Sequence, residues 1–163
     1  MHIWLLTHSE ELKKANGTGA VVLETYAKHC TRLIWERTQP AIELVNLPLH
    51  NTYLIYPKSD QEQTVEQDLT CPQGQIENLI ILDGTWQQAR KMYNRSPYLH
   101  TFQKYEINGE NSIFKRRKNQ VEGGLCTAET AAHLLKVFGE QDAGERIYQA
   151  FLSFNEKLLN HSQ

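Results

Sequence analysis

The residues best suited to chemistry follow a short aliphatic run, Leu79–Leu82, that reads as the end of a central strand. Asp83 comes directly after it, so its carboxylate should emerge at the carboxyl end of that strand, where open α/β sheets bind ligands. Gly84 lets the chain turn and lets a ligand or another backbone approach closely. A carboxylate in this place is typical of a ligand-binding group or a general base. It is equally typical of a group that only hydrogen-bonds the turn, and the residues alone leave both interpretations open.

A helix is predicted to begin just beyond this carboxylate. Thr85 and Gln88 have the spacing of a capping box, which starts the helix at Trp86 and stabilises it by about 1 kcal/mol. The free N–H groups of the first turn would then lie beside Asp83. Trp86 taken alone is expected to fill the core, as Trp usually does. The helix carries three cations that cannot all share one face, because consecutive residues point about 100° apart: Arg90, Lys91 and Arg95.

A second glycine-bearing element leads into a later helix. The segment Gly123–Cys126 precedes Thr127, which is expected to be the N-cap. A glycine-lined loop at a helix N-terminus can hold a small polar cofactor through backbone groups. Glu129 either belongs to such a site or is only an acid in the first turn, where the helix dipole favours it. Cys126 is expected to be buried and inert rather than nucleophilic.

Composition places the chain among ordinary soluble globular proteins. Its 163 residues are 40% hydrophobic and 22% charged, which suits a single domain, 1–163, with a core of its own. The three cysteines lie far apart without a Cys-x-x-Cys pair, which fits a reducing cytoplasm rather than a disulfide framework or a zinc ribbon. No apolar run reaches membrane-spanning length. The sequence also lacks a dinucleotide-binding loop, a Walker loop, a zinc-protease motif and a hydrolase nucleophile elbow.

Charge is distributed unevenly along the chain. Residues 83–118 hold eight Lys or Arg against three acids, a balance of +5, which leaves −7 on the rest of a chain whose formal net charge is −2. Such asymmetry is typical of a confined phosphate-contacting face on a mildly acidic protein. A solvated basic helix followed by a basic loop would give the same numbers, and charge alone does not choose between the two.

Short apolar runs that alternate with segments of helical period predict an α/β fold, with a parallel sheet and flanking helices. The predicted strands are Ile3–Thr7, Leu33–Glu36, Tyr53–Tyr56 and Leu79–Leu82. The predicted helices are Gly19–His29, Gln61–Leu69, Asp83–Arg95, Thr127–Phe138 and Asp142–Leu159. In the last helix, Ile147, Phe151, Phe154 and Leu158 form a stripe that is expected to pack in the core. The long connection Tyr105–Leu125, glycine-bearing and basic, is of a kind that is often functional.

Taken together, these elements resemble the DTW domain family, which is named for its Asp-x-Thr-Trp motif. The motif is Asp83-Gly84-Thr85-Trp86, and the likeness continues through Gln88–Met92 and Ser96–Leu99. Upstream, Gly17–Gly19 and Leu54–Pro57 are similar to the family's Asn-Thr-Gly and Leu-Phe-Pro elements. Downstream, the basic run Lys115–Lys118 and the segment Leu125–Glu129 are similar to its Arg-Lys and Leu-Ser-Thr-x-Glu-Ala segments. The ordered set covers nearly the whole chain.

The resemblance implies a tRNA-uridine aminocarboxypropyltransferase with a SPOUT-like fold and a C-terminal knot around the cofactor. Such an enzyme transfers the 3-amino-3-carboxypropyl group of S-adenosylmethionine to N3 of a uridine in tRNA. Many members carry an N-terminal cysteine cluster for zinc, which this sequence lacks, so no metal is expected. Gly17 replaces Asn, Ser9 replaces Pro after His8, and Cys126 and Thr130 replace Ser and Ala of the family pattern.

The resemblance also suggests roles for individual residues. Asp83 is the candidate base for the N3 proton. The residues expected to hold the cofactor are Thr18, Tyr56, Pro57, Leu82, Gly84, Thr85, Leu125, Cys126 and Thr127. Those expected to contact RNA are Trp86, Arg90, Lys91, Arg95, Arg116, Arg117 and Lys118. No membrane contact and no obligate protein partner are expected. Two alternatives stay open: a SPOUT-type RNA methyltransferase using the same cofactor, and a non-catalytic RNA-binding module in which Asp83 is structural.

Overall fold

The computed structural model describes residues 1–59, 76–108 and 124–160, and within them five parallel strands form one sheet. The strands are β1 (His2–Thr7), β2 (Cys30–Ile34), β3 (Thr52–Ile55), β4 (Asn78–Asp83) and β5 (Gln103–Tyr105), in the order β2-β1-β4-β3-β5. The helices are α1 (Gly19–Thr25), α2 (Ile42–Val45), α3 (Trp86–Arg95), α4 (Thr127–Val137) and α5 (Gln141–Asn160). The predicted α/β fold with a parallel sheet and flanking helices is confirmed.

Strand β4 lies in the centre of the sheet, between β1 and β3, and all six of its residues are buried. Its alternate side chains point to opposite faces, as the pleat of a strand requires. Leu79 and Ile81 pack with residues of α1, α4 and α5, on what we call the α4 face. Ile80 and Leu82 pack with residues of α3, on what we call the α3 face. An aliphatic run without polar alternation was therefore a sound indication of a strand covered on both sides.

Helices α4 and α5 pack side by side on the α4 face. Ile147 and Phe151 of α5 are fully buried, and Phe154 and Leu158 pack against the same core. The predicted core stripe of this helix is confirmed. The two helices approach most closely at Gly144, where an added Cβ would lie 2.6 Å from the carbonyl oxygen of Ala132. This contact positions α4, whose N-terminus reaches the carboxyl edge of β4.

The predicted bounds of the strand Leu33–Glu36 and of the helix Gly19–His29 are wrong. Strand β2 runs from Cys30 to Ile34 rather than over Leu33–Glu36, because its pairing with β1 sets its limits. Trp35 has already left the strand to enter the core on the α3 face. The helix predicted over Gly19–His29 ends at Thr25, and a 3-10 turn, Ala27–His29, leads into β2.

The start of α3 agrees with the capping prediction, whereas the helix predicted over Asp83–Arg95 starts three residues too early. Thr85 accepts a hydrogen bond from the Gln88 backbone, and Gln88 accepts one in return, so the helix begins at Trp86 while Asp83 still belongs to β4. Strand β5 was not predicted, since three residues give no pattern to detect. The helix predicted over Gln61–Leu69 and most of the connection before Leu125 lie outside the described residues. Among the described helices, none combines the length and apolarity needed to cross a bilayer.

Replacing Gly144 with Ala should cost about 1–3 kcal/mol in overpacking, because the new methyl group must push α4 and α5 apart. Ala gains about 1 kcal/mol over Gly in a helix, so the net free energy of unfolding should fall by up to about 2 kcal/mol. Urea unfolding followed by circular dichroism measures the change. Gly17→Ala is the matched control, since a Cβ there meets nothing closer than 3.4 Å. A Gly144→Ala protein at least as stable as the wild type would contradict the close packing.

Candidate active site

The side chain of Asp83 is the centre of a buried polar network at the carboxyl edge of the sheet. Its exposed fraction is 2%. Oδ1 accepts a hydrogen bond from the hydroxyl of Thr127 at 2.8 Å, and Oδ2 accepts one from the hydroxyl of Thr7 at 3.0 Å. Nη2 of Arg32 lies 3.5 Å from Oδ2. We call these four residues the Asp83 network, which joins β1, β2, β4 and α4.

Strand register explains why these side chains meet. Thr7 is the direct partner of Asp83 across the β1–β4 pair, and Arg32 is the partner of Leu5 across the β1–β2 pair. Because side chains alternate along a strand, Thr7, Arg32 and Asp83 all point to the α4 face. The N-terminus of α4 then brings Thr127 to the same place. Residues far apart in sequence therefore converge at one end of the sheet.

The segment before α1 closes this network from the side. A Cβ on Gly19 would lie 2.4 Å from Oδ2 of Asp83, so only glycine allows α1 to begin against the carboxylate. The hydroxyl of Thr18, which is buried, accepts a hydrogen bond of 3.3 Å from the backbone N–H of Ala128 in the first turn of α4. The predicted cofactor residue Thr18 is thus brought next to Asp83.

The N-terminus of α4 differs from its prediction. The N-cap is Cys126 rather than Thr127, and the carboxylate of Glu129 accepts a hydrogen bond of 2.9 Å from the backbone N–H of Cys126. Thr127 is the first helical residue, and its hydroxyl donates to Asp83 instead of capping the helix. Glu129 is buried and closes the first turn, the more ordinary of its two predicted roles.

The two cysteines of the described residues are buried thiols. Burial raises the pKa of Cys126 to about 12 and that of Cys30 to about 12 as well. Both side chains therefore stay neutral near pH 7, where only a thiolate would be a nucleophile. The prediction that Cys126 is buried and inert agrees with this environment.

On the α3 face, aromatic rings form a stack that begins at the same sheet edge. The rings of Trp86 and Tyr56 stack with centroids 5.7 Å apart, and those of Tyr56 and Tyr93 with centroids 4.1 Å apart. His100 continues the series at 4.3 Å from Tyr93. We call these four residues the ring stack. The ammonium group of Lys104 lies 4.9 Å from the Tyr93 ring centroid.

Trp86 does not fill the core, contrary to the expectation for Trp alone. It is 36% exposed, because Ala89 and Met92 occupy the buried side of α3. Tyr56 follows β3 and Trp86 opens the helix after β4, so two neighbouring parallel strands deliver their rings to one place. The sequence had assigned these two residues to different ligands, cofactor and RNA, whereas the structure puts them in ring contact.

The three cations of α3 are exposed and divide between two directions, as their spacing indicated. The charge of Arg90 acts on Tyr56, opposing the rise in the pKa of that phenol that burial and Tyr93 cause. Lys91 instead acts on His8: burial lowers the pKa of that imidazole, and the neighbouring charge of Lys91 lowers it further. Arg95, five residues after Arg90, points away from the ring stack.

His8 ties the end of β1 to the central strand. Its backbone N–H donates to the carbonyl oxygen of Asp83 at 3.0 Å, and Nδ1 accepts a hydrogen bond of 3.3 Å from the backbone N–H of Glu10. The imidazole also stacks on Trp35, with ring centroids 5.6 Å apart. His8 is therefore a satisfied polar group that positions the turn after β1.

The other predicted site residues do not all border the Asp83 network. Leu82 is core on the α3 face, Thr85 is used as a helix cap, and the space beside Gly84 is filled by the side chain of Gln88. Pro57 is exposed, Leu125 is half-buried, and Arg116, Arg117 and Lys118 lie outside the described residues. Within the described ranges, no group of three His, Cys, Asp or Glu side chains is placed to hold a metal ion.

Sequence reasoning missed several residues that complete the two clusters. Thr7, Arg32 and Gly19 belong to or border the Asp83 network, and Tyr93 and Lys104 belong to or border the ring stack. Tyr93 had a usable signal, because it lies seven residues after Trp86 and so on the same side of α3. Arg32 and Thr7 had none, since their roles depend on strand register.

Two comparisons with known proteins agree on one family. A family model described as the DTW domain matches residues 1–161. One curated relative is tRNA-uridine aminocarboxypropyltransferase 2 of Drosophila melanogaster, which is 37% identical over 87 residues, or 53% of this chain. These residues are 34% of that protein, so the match spans about a third of the relative's length. No solved structure gives a significant match.

The thiols of Cys30 and Cys126 should resist alkylation in the folded protein. A rise in pKa from 9.0 to about 12 lowers the thiolate fraction at pH 8 by about 1,000-fold, and burial slows the reagent further. Iodoacetamide labelling at pH 8, quantified for each cysteine peptide by mass spectrometry, measures the rates. The same peptides in urea serve as the control. Labelling of Cys126 at equal rates in the folded and unfolded chain would contradict its burial.

Proposed function

This chain belongs to the DTW domain family, and on that premise we propose that it modifies tRNA. The proposed reaction transfers the 3-amino-3-carboxypropyl group of S-adenosylmethionine to N3 of a uridine and releases methylthioadenosine. The observation that supports it best is the position of Asp83, the first residue of the family motif. This carboxylate ends the central strand at the edge where α/β sheets bind ligands, and other elements hold it in one orientation.

The proposed chemistry is an in-line displacement. The N3 nitrogen of the uridine forms a bond to the carbon γ to the carboxylate, the bond from that carbon to sulfur breaks, and the sulfonium becomes a neutral thioether. The N3–H proton must leave as well, and we assign its acceptance to Asp83, as a positioned base contributes about 10²–10⁴-fold to a rate. Asp83 is buried, so the proton would reach it through one of the threonine hydroxyls that already donate to it.

We propose that the donor binds across the carboxyl edge of the sheet. The proposed contacts are Thr18, Tyr56, Pro57, Leu82, Gly84, Thr85, Leu125, Cys126 and Thr127. Thr18, Cys126 and Thr127 adjoin Asp83, and the first turn of α4 offers backbone N–H groups to a polar ligand. When bound, the donor supplies an electrophilic carbon activated by its sulfonium. The protein's part is to orient that carbon toward the uridine and keep the methyl group away from it.

We also propose the C-terminal knot and the cytoplasmic location that the family resemblance and the cysteine content imply. The knot follows from the family resemblance, and the parallel sheet with flanking helices is compatible with it. A tRNA substrate and unpaired cysteines both suit the cytoplasm.

The proposed RNA surface is Trp86, at one end of the ring stack, with the exposed cations of α3. Aromatic rings stack on unpaired bases, and cations contact the phosphates between them. Trp86 is one of the two exposed ends of the ring stack, and Arg90 lies close enough to act on the neighbouring Tyr56. Lys91, Arg95 and the run Arg116–Lys118 would extend the contact to the backbone of the tRNA.

Incubation of the protein with S-adenosylmethionine and tRNA should release methylthioadenosine and add the mass of the aminocarboxypropyl group to a uridine. Asp83→Asn should lower the single-turnover rate by about 10²–10⁴-fold, since an amide cannot accept the proton. Chromatography of the by-product and mass spectrometry of the nucleosides measure both. Affinity for S-adenosylmethionine should be retained.

Asp142→Asn, at an exposed position on α5, is the matched control for the loss of a carboxylate. Thermal unfolding of both variants checks that they are folded. Release of S-adenosylhomocysteine would instead identify a methyltransferase. Absence of a modified uridine from every tRNA tested would refute the proposed activity. Near-normal turnover by Asp83→Asn would show that Asp83 is not the base.

Replacing Trp86 with Leu should weaken tRNA binding by about 10-fold, because stacking on one base contributes about 1–3 kcal/mol. Filter binding at fixed salt concentration measures this affinity. Tyr148→Leu is the matched control for the loss of an aromatic ring, since Tyr148 lies on α5, outside the ring stack. Unchanged tRNA binding with weaker S-adenosylmethionine binding would show that Trp86 contacts the adenine of the donor rather than RNA.

A further inference from the structure

Arg32 is a cation at the Asp83 network whose hydrogen-bonding capacity is largely unused. Its guanidinium has five N–H donors in a planar fork. The contact of Nη2 with Asp83 Oδ2 is 3.5 Å long, whereas a charge-assisted hydrogen bond is typically about 2.7–2.9 Å. Its Nε is buried and has no hydrogen-bond partner among the described residues. The side chain is 23% exposed, so it is not sealed off from the surface.

Asp83 accepts only one long contact from the fork, because its oxygens are already engaged. Oδ1 accepts from Thr127, and Oδ2 is shared between Thr7 and Arg32. A carboxylate that pairs with arginine for stability normally receives two parallel N–H bonds. Here the network holds the guanidinium near a negative charge without saturating it. That arrangement suits a site in which a second carboxylate arrives with the ligand.

The location of Arg32 indicates which carboxylate this would be. It lies on the α4 face, on the strand next to β1, at the edge where the donor is proposed to bind. The cations of α3 lie on the other face. A guanidinium beside a carboxylate complements an α-amino acid, which carries one charge of each sign. We propose that Arg32 binds the α-carboxylate of the aminocarboxypropyl chain of the donor, an assignment that rests on the proposed function.

This contact would help to select which group is transferred. Three carbons are attached to the sulfonium of the donor, and the one nearest the uridine reacts. An arginine that holds the α-carboxylate fixes the direction of the aminocarboxypropyl chain relative to Asp83. Arg32 would be a binding and positioning residue, since it contacts the chain at the end away from the reacting carbon.

Three ligands that differ in one group test this assignment. Isothermal titration calorimetry should be run with S-adenosylmethionine, with decarboxylated S-adenosylmethionine and with methylthioadenosine, which lacks the chain. Arg32→Met should lower the affinity for S-adenosylmethionine by about 10- to 100-fold, as expected for hydrogen bonds to a charged group. Affinity for the other two should change by less than about 2-fold. Arg146→Met, an exposed arginine on α5, is the matched control.

Arg32→Lys provides a second test in case Arg32→Met does not fold, because lysine keeps the positive charge and loses only the planar fork. The affinity of Arg32→Lys should fall for S-adenosylmethionine but not for the other two ligands. The fall should be smaller than that of Arg32→Met, and the thermal unfolding temperature should stay that of the wild type. Equal losses for all three ligands, or no loss for any, would show that Arg32 is only a structural partner of Asp83 and would overturn the assignment while leaving the proposed function intact. Failure of the wild-type protein to bind S-adenosylmethionine would overturn both.

Discussion

The buried carboxylate of Asp83 constrains the rest of this structure. A carboxylate can be removed from water only where hydrogen bonds and opposite charge replace its hydration. Two threonine hydroxyls and a guanidinium do so here, and each comes from a different element. The ends of β1 and β2, the first residue of α4 and the glycine that opens α1 must all be in place at once. The same requirement that stabilises the carboxylate therefore brings these elements together at the carboxyl edge of the sheet.

The sheet separates two sets of functional groups that lie only a few residues apart in sequence. Asp83 points to the α4 face, whereas Trp86, after the turn, joins rings on the α3 face. Under the proposed function this division is useful, because a small polar donor and a large polyanion need different surfaces. The donor needs an enclosed network of hydroxyls and charge. The RNA needs exposed rings and cations, and both must meet at the end of β4.

Helices α4 and α5, which pack on the α4 face, hold the candidate site in place. Helix α5 buries Ile147 and Phe151 against the core and allows close approach of α4 at Gly144. Glu129 and Thr18 satisfy N–H groups in the first turn of α4, which fixes its end. Thr127 can then direct its hydroxyl at Asp83 instead of capping its own helix. Accurate placement of one hydroxyl thus depends on packing along the whole helix pair.

The sequence by itself determined whatever depends on neighbours within one or two turns. The capping box joins Thr85 and Gln88, which are three positions apart, the stripe of α5 follows helical period, and the apolar run of β4 marks a doubly covered strand. Family membership also followed from short motifs in order. Only the tertiary structure decided that Trp86 is exposed, that Cys126 is the cap, and that Arg32 faces Asp83. The bonds of the Asp83 network join residues 44 to 76 positions apart, and strand register, not local pattern, brings such residues together.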